Sequence, residues 1–316
     1  MSYRSPAWLR GGHTQTLWPL ALKGAAPVFY RERWDTPDGD FIDVDFLPYQ
    51  PGQPLVTLFH GLEGSSRSHY ARALMRALGH KGWNGAVVHF RGCSGEPNRL
   101  ARAYHSGDAD EIDWVLTRLA QRFADHRRYA VGVSLGGNAL LCWLGTREAA
   151  AHTRVDKAAS VSAPLDLTLS GYYLERGFNK VYTRHFLRTL QAAAQFKAQN
   201  HPGLFDATRA ASARTLYEFD DAYTAPMHGF GTAVEYWRRA SSKPLLRGIA
   251  VPTLILNARN DPFMPREVLP GRHEVSPTVV LEQPAEGGHV GFASGPFPGH
   301  IEWLPRRLLA FFEDAR

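Results

Sequence analysis

From residue 41 onward the apolar positions fall into short runs separated by longer stretches with helical spacing. Phe41-Ile-Asp-Val-Asp-Phe46 alternates apolar and polar side chains, as a strand with one solvated face does, and the Pro37-Asp-Gly39 before it is turn chemistry. Leu55-Val-Thr-Leu-Phe59, Gly85-Ala-Val-Val-His-Phe90, Tyr129-Ala-Val-Gly-Val133 and Lys157-Ala-Ala-Ser-Val161 are nearly continuous, the pattern of strands covered on both faces. Between them, Ser68 to Leu78 carries Tyr70, Leu74 and Leu78 on one stripe. Asp110 to Phe123 carries Ile112, Val115, Leu116 and Leu119 on another, and a helix follows from about Gly136 to Leu144. Two late runs, Thr253-Leu-Ile-Leu256 and Thr278-Val-Val-Leu281, precede an amphipathic C-terminal stretch, Ile301 to Glu313. Strands alternating with helices predict βαβ units, hence an α/β fold whose mostly parallel sheet is flanked by helices.

The rhythm breaks between Pro164 and about Gly248. No strand pattern occurs there, and helical spacing dominates, as in Tyr182–Phe196 and Thr232–Arg239. The expected organisation is a core of residues 1–163 and 248–316 with a mainly helical cap inserted at 164–247. A second independent domain is the alternative, since about 85 residues lie near the low end of domain sizes. The opening segment from Pro6 to Pro19 is rich in Trp, Gly and Pro and reads as an irregular arm that packs on the body through its tryptophans.

Composition narrows the partners. The 316 residues are 44% hydrophobic and 21% charged, enough apolar material for a sizeable core. The formal charge of +6 comes from Lys and Arg interspersed with Asp and Glu, without a long run, so no nucleic acid partner is expected. A net positive surface leaves room for peripheral contact with an anionic membrane, expected to be weak. Cys93 and Cys142 do not make a disulfide framework, no secretory leader pattern opens the chain, and Pro19 interrupts the short apolar stretch Leu17–Leu22. The expectation is a cytoplasmic protein with reduced thiols; the oligomeric state is left open.

The chemistry concentrates after the strands. Gly132-Val-Ser134-Leu-Gly136 fits G-x-S-x-G between a buried strand and a helix start, the setting in which a serine sits exposed on a sharp turn. A serine hydroxyl needs a base to take its proton. With such a turn the partners follow in the order Ser, acid, His. Asp261 lies in the loop past the strand Thr253–Leu256, and His289 ends a Gly-rich loop past Val279–Leu281. Glu282 and Glu286 are poorer acids because they crowd the His loop itself. The backbone N–H of Leu135, directly after the nucleophile, is one expected oxyanion donor. The loop His60-Gly-Leu-Glu-Gly64 follows Leu55–Phe59 and supplies the second at Leu62, with His60, Gly61 and Leu62 as expected substrate contacts.

With these residues in view the chain resembles the α/β-hydrolases of the YheT-like branch, related to the plant embryogenesis-associated proteins. The resemblance rests on Gly11-Gly-His-Thr-Gln-Thr16, His60-Gly-Leu-Glu-Gly64, Phe90-Arg-Gly-Cys-Ser-Gly-Glu-Pro-Asn98 and Tyr104-His-Ser-Gly107. It rests also on Gly132-Val-Ser-Leu-Gly-Gly-Asn138, Phe219-Asp-Asp221 with Tyr236-Trp237, and Asn260-Asp-Pro262. It covers nearly the whole chain. It implies an α/β-hydrolase fold and a serine hydrolase of carboxylesterase-like or lipase-like activity, with the triad on Ser134, Asp261 and His289.

Hydrolysis of a carboxylic ester with a short, medium or lipid-like acyl group is the leading expectation, with a small-molecule acyl ester as partner. Acyl transfer or perhydrolysis through the same serine, and a catalytically silent hydrolase-fold binding protein, remain the alternatives. No metal or cofactor signature is present and none is expected. Cys93 has no base placed beside it by sequence. Asp220 and Asp221 read as a helix cap or as partners of neighbouring Arg residues.

Overall fold

The computed structural model describes residues 2–22 and 24–314. Among them, strands β1 (Tyr30–Asp35), β2 (Phe41–Phe46), β3 (Leu55–Phe59), β4 (Asn84–Val88), β5 (Arg128–Val133), β6 (Lys157–Val161), β7 (Thr253–Leu256) and β8 (Val279–Glu282) form one sheet. Their order is β1-β2-β4-β3-β5-β6-β7-β8. Pairing from β4 through β8 is parallel, and β1 and β2 join antiparallel at one edge. Helices α1 (Gly12–Leu17), α2 (His69–Lys81), α3 (Ala109–Arg122) and α4 (Leu135–Arg147) precede β6. Helices α5 (Leu167–Leu174), α6 (Asn179–Asn200), α7 (Ala207–Ser212), α8 (Leu216–Phe219), α9 (Ala225–Met227) and α10 (Ala233–Ala240) lie between β6 and β7, and α11 (Trp303–Glu313) closes the chain.

Alternation along the strands divides the core. In β3, Leu55 and Phe59 face α3 and α4, against Ile112, Leu116, Leu140 and Trp143. Val56 and Leu58 face α2 and α11, against Leu74, Leu78, Leu308 and Phe312. Both sets are almost fully buried, which is why the strand reads as a nearly continuous apolar run. Burying each such side chain contributes about 1.5–3 kcal/mol.

Three departures from the sequence pattern have physical causes. The polar face of β2 is not solvated: Asp43 and Asp45 are buried, and Arg33 and Arg31 of β1 grip them with paired hydrogen bonds of 2.7–2.9 Å. β1 itself, Tyr-Arg-Glu-Arg-Trp-Asp, carries too much charge to show as a strand by composition. The opening arm is not irregular throughout, since residues 12–17 form α1; it does pack through its tryptophans, Trp8 Nε1 donating to the Gly295 carbonyl and Trp18 Nε1 to that of Pro298.

Among the described residues between β6 and β7 there is no strand. α6 and α7 pack through Leu187, Ala194 and Ala210, and α8 adds Phe219. A π-helical turn, Asp220–Thr224, links α8 to α9. After α10 the chain returns to the sheet: Leu246, in the turn Lys243–Gly248, belongs to the core beneath α3 and α4.

Candidate active site

Parallel strands end together, so the loops after β3, β5, β7 and β8 meet at one edge, and β3 and β5 flank the point where strand order reverses. Ser134 sits between β5 and α4 at φ 54° and ψ −120°, a backbone conformation rare for a residue with a side chain. The turn closes because its neighbours lack side chains. A Cβ at Gly132 would lie 2.4 Å from the Gly136 carbonyl oxygen, and one at Gly136 would lie 2.4 Å from that of His60.

Asp261, five residues past β7, is buried; one oxygen accepts the Phe263 N–H at 2.8 Å, which fixes the carboxylate plane. The other lies 2.8 Å from His289 Nδ1, and His289 Nε2 lies 2.9 Å from Ser134 Oγ. This chain of hydrogen bonds sets Nδ1–H toward Asp261 and leaves Nε2 as acceptor for the serine hydroxyl. The Phe263 ring stacks on the imidazole, with centroids 3.9 Å apart and planes 19° from parallel, and covers one face of it.

The loop after β3 is a tight turn in which the Gly64 N–H returns to the Gly61 carbonyl at 2.9 Å. Its amides are held selectively. The Gly61 N–H donates to Tyr70 Oη and the Glu63 N–H to Tyr104 Oη, each at 2.9 Å. The Leu62 N–H between them has no hydrogen-bond partner among the described residues. The Leu135 N–H, first in α4, has none within its helix. Leu62, Leu135, Ser134 and His289 all wall the same cavity.

His60 is placed differently from Leu62. Its ring is fully buried under the loop, Nε2 accepting the Phe90 N–H at 3.1 Å and Nδ1 donating to the Gly61 carbonyl at 2.7 Å. Burial pushes its pKa down to about 3, so it stays neutral. Gly61 lies against Ser134, where an added Cβ would stand 3.1 Å from the serine Cβ. Of the three expected substrate contacts, Leu62 alone is on the cavity wall.

The cavity holds about 430 Å³ and runs from Ser134 under α5, α6, α8 and α10. Its wall is largely apolar: Leu174, Phe186, Leu190, Phe196, Phe219 and Trp237 come from these helices and Phe263 from the acid loop. The charged side chains on it are engaged by the protein. Lys197 Nζ donates to the Asn98 carbonyl and Oδ1 at 3.0 and 2.7 Å and to the Leu100 carbonyl, and burial lowers its pKa to about 8. Arg91 pairs with Asp38, Asp40 and Glu111. Asp220 accepts from Thr224 Oγ1 at 2.6 Å and Trp237 Nε1 at 2.7 Å, and burial pushes it up to about 6.

The Asp220–Asp221 pair divides. Asp221 takes the expected role, meeting Arg209 at 3.0 Å and accepting the Ala233 N–H that opens α10. Asp220 instead turns inward to the cavity wall. Sequence reading also missed Phe263 and the two tyrosines that hold the β3 loop, Tyr70 from α2 and Tyr104 from the segment after β4. An aromatic two residues past the acid was the available signal for Phe263; Tyr70 and Tyr104 reach the loop only through folding. Both cysteines lack a disulfide partner, and burial pushes both thiols up. Among the described residues no group of His, Cys, Asp and Glu side chains is arranged to hold a metal, and no helix is long and apolar enough to cross a membrane.

Comparison with known proteins identifies the family of the chain. A family model described as the alpha/beta hydrolase fold matches residues 54–296. The chain is 42% identical over 303 residues to an Escherichia coli (strain K12) protein carrying an esterase name, YheT, spanning 94% of this chain and 88% of that one. It is 27% identical over 326 aligned positions to the Homo sapiens phospholipase ABHD3, spanning 99% and 78%. A solved Pyrococcus furiosus esterase shares the fold with a TM-score of 0.56 at 16% identity, covering 90% of each chain.

Proposed function

We propose that this chain, which belongs to the α/β-hydrolase family and is a carboxylic ester hydrolase, cleaves its substrate through an acyl-enzyme on Ser134. The observation that carries the reading is the hydrogen-bonded series Asp261–His289–Ser134 opening onto an apolar cavity.

Ser134 Oγ attacks the acyl carbonyl carbon while His289 Nε2 takes its proton. Negative charge moves to the carbonyl oxygen, where the Leu135 and Leu62 N–H groups accept it as hydrogen-bond donors; each such donor is worth on the order of 10²–10³ in rate. Asp261 holds the imidazole in the Nδ1–H tautomer and stabilises it once charged. The tetrahedral species collapses as His289 passes the proton to the alcohol oxygen, which leaves. Water, deprotonated by the same nitrogen, then attacks the acyl-serine and regenerates the enzyme.

The acyl group is short, medium or lipid-like. Support comes from the apolar wall and the 430 Å³ volume, which suits a hydrocarbon chain better than a charged or sugar-like group. The phospholipase name of the human relative supports a lipid-like ester in the same sense.

The test is a panel of p-nitrophenyl esters of increasing acyl length, with products analysed by mass spectrometry. Ester turnover should fall about 10⁴-fold or more in Ser134→Ala. A fluorophosphonate probe should label the parent at Ser134 and leave the variant unlabelled. Undiminished turnover in Ser134→Ala, or a parent that resists the probe, refutes the mechanism; an acyl–alcohol product in place of free acid makes it a transferase.

A further inference from the structure

The segment Gly11–Thr16 has no role in the chemistry above, yet its side chains bond directly to the loops that carry Asp261 and His289. Gln15 is wholly buried, and all the hydrogen-bonding capacity of its amide is used. Nε2 donates to Ser5 Oγ at 2.8 Å and to the Leu9 carbonyl at 2.9 Å. Oε1 accepts from Asn260 Nδ2 and from the Gly287 N–H, both at 2.8 Å. Asn260 precedes the acid Asp261, and Gly287 begins the approach to His289. One amide therefore ties the acid loop to the base loop.

The tie extends along the base loop. Three successive backbone N–H groups are each taken by a side-chain oxygen: Gly287 by Gln15 Oε1, Gly288 by Asn260 Oδ1 at 3.0 Å, and His289 by Thr16 Oγ1 at 2.9 Å. The Thr16 hydroxyl passes its own proton to the Gly12 carbonyl at 2.7 Å. Backbone N–H groups are donors only, so they fix which way both amides face: Asn260 must turn Oδ1 to Gly288 and Gln15 must turn Oε1 to Gly287.

The contact is also too close to admit side chains. A Cβ at Gly12 would lie 2.1 Å from the Asn260 carbonyl oxygen, and one at Gly291 2.0 Å from that of Gln15. Gly288, at φ 58°, would press a Cβ to 2.8 Å from both Gly12 O and Thr16 Oγ1. The loop so held is itself strained, with Val290 at φ 56° and Phe292 at φ 44°. Such conformations persist only where surrounding contacts dictate them.

From this arrangement we infer that Gln15 and Thr16 are positioning residues for catalysis, holding His289 in register with Asp261 and Ser134 through the backbone of the base loop. The inference rests on the triad reading given above. Neither side chain touches substrate; both act by limiting how far the imidazole departs from its two partners. Displacements of about 1 Å in a catalytic group cost on the order of 10²-fold in rate.

The decisive comparison is Thr16→Val against Thr16→Ser. Val keeps the shape and removes the oxygen that accepts the His289 N–H; Ser keeps the oxygen. Active sites are counted by fluorophosphonate labelling carried to completion, and kcat is expressed per labelled site. Thr16→Val should lower per-site kcat about 10- to 100-fold with KM within about twofold, and Thr16→Ser should restore most of it. Gln15→Met, which leaves the Gly287 N–H without an acceptor, should lower per-site kcat at least as far. A residue that only stabilised the fold would reduce the melting temperature and the number of labelled sites, not kcat per site. Per-site kcat within twofold of the parent in Thr16→Val overturns the inference, whether or not Gln15→Met folds. A parent that does not label at Ser134 instead overturns the triad reading beneath it.

Discussion

Gly136 separates the two segments that carry the proposed oxyanion donors, and replacing it with alanine should open the gap between them. A Cβ there would lie 2.4 Å from the His60 carbonyl oxygen and 2.5 Å from that of Phe59, where ordinary contact begins at 3.4 Å. Both contacts are backbone, so about 1 Å of movement is required, the difference between 3.4 and 2.4 Å. Either the start of α4 retreats, taking the Leu135 N–H with it, or the end of β3 retreats with Leu62. The two donors part in both cases. A hydrogen bond lengthened by about 1 Å from its usual 2.7–3.2 Å has lost most of its worth. Losing one oxyanion donor costs about 2.7–4 kcal/mol of transition-state stabilisation, or 10²–10³ in kcat. KM should change less than kcat, because Phe186, Leu190 and Phe196, on the wall proposed to receive the acyl group, lie outside the segments that move. The overpacking itself should cost about 1–3 kcal/mol of stability, leaving the protein folded at 25 °C. Gly79→Ala is the control: it also lies in a helix, an added Cβ meets nothing within 4 Å, and it should leave kcat unchanged. The assay is steady-state ester hydrolysis by protein whose folding is verified by circular dichroism. If Gly136→Ala keeps kcat within threefold of the parent, the oxyanion is not bound between these two segments.

Two further predictions concern buried polar groups. Burial raises Asp220 from 3.8 to about 6, so between those values the folded state holds a proton that the unfolded chain releases; stability falls as pH rises through that window, by about 3 kcal/mol, and stays lower above it. Asp220→Asn keeps an acceptor for Trp237 and offers a donor to Thr224, so its melting temperature measured from pH 4 to 8 should decline less than the parent's; equal slopes would count against the assignment. Asn138, fully buried in α4, bonds the Ser106 and Ala240 carbonyls and the Ser242 N–H at 2.7–3.0 Å, joining the α3 approach to the end of α10. Asn138→Leu strands all three and should cost about 3–5 kcal/mol, seen as a melting temperature lower by about 6 °C or more; a change under about 2 °C would refute it.

What the sequence discloses follows from where the information lies. The parallel strands were legible because burial on both faces leaves few polar positions in the run, as in Leu55–Phe59, where Thr57 alone is polar. The positions of Ser134, Asp261 and His289 were legible because each follows a strand, and the carboxyl ends of parallel strands meet at one edge. β1 was not legible, since Arg31 and Arg33 look solvated until Asp45 and Asp43 arrive opposite them in the sheet. α1 was hidden for a similar reason: its Gly and Thr residues are poor helix formers, and what holds it is a set of partners more than 240 residues away. Asp220 and Asp221 are adjacent and chemically identical, and only the π-helical turn decides that one faces the cavity and the other Arg209.

The treatment of charge along the cavity bears on what the site accepts. An apolar acyl chain gains from a wall that makes no demand for hydrogen bonds, and a free charge there would keep water in place. Lys197, Arg91 and Asp220 are each spent on protein partners, so the surface left to a ligand is mainly the aromatic and aliphatic one. Glu63 completes the pattern beside Leu62, the proposed oxyanion donor. A carboxylate there would oppose negative charge gathering on the substrate oxygen. Burial raises the Glu63 carboxyl above its ordinary pKa, while Tyr104 Oη, which accepts the Glu63 N–H, donates to the carboxyl at 2.7 Å and acts the other way. The same tyrosine thus fixes the backbone on one side of the proposed oxyanion donor and takes up part of the adjacent acid's charge in a hydrogen bond, so that a glutamate in this loop opposes the proposed anionic intermediate less than a bare carboxylate would.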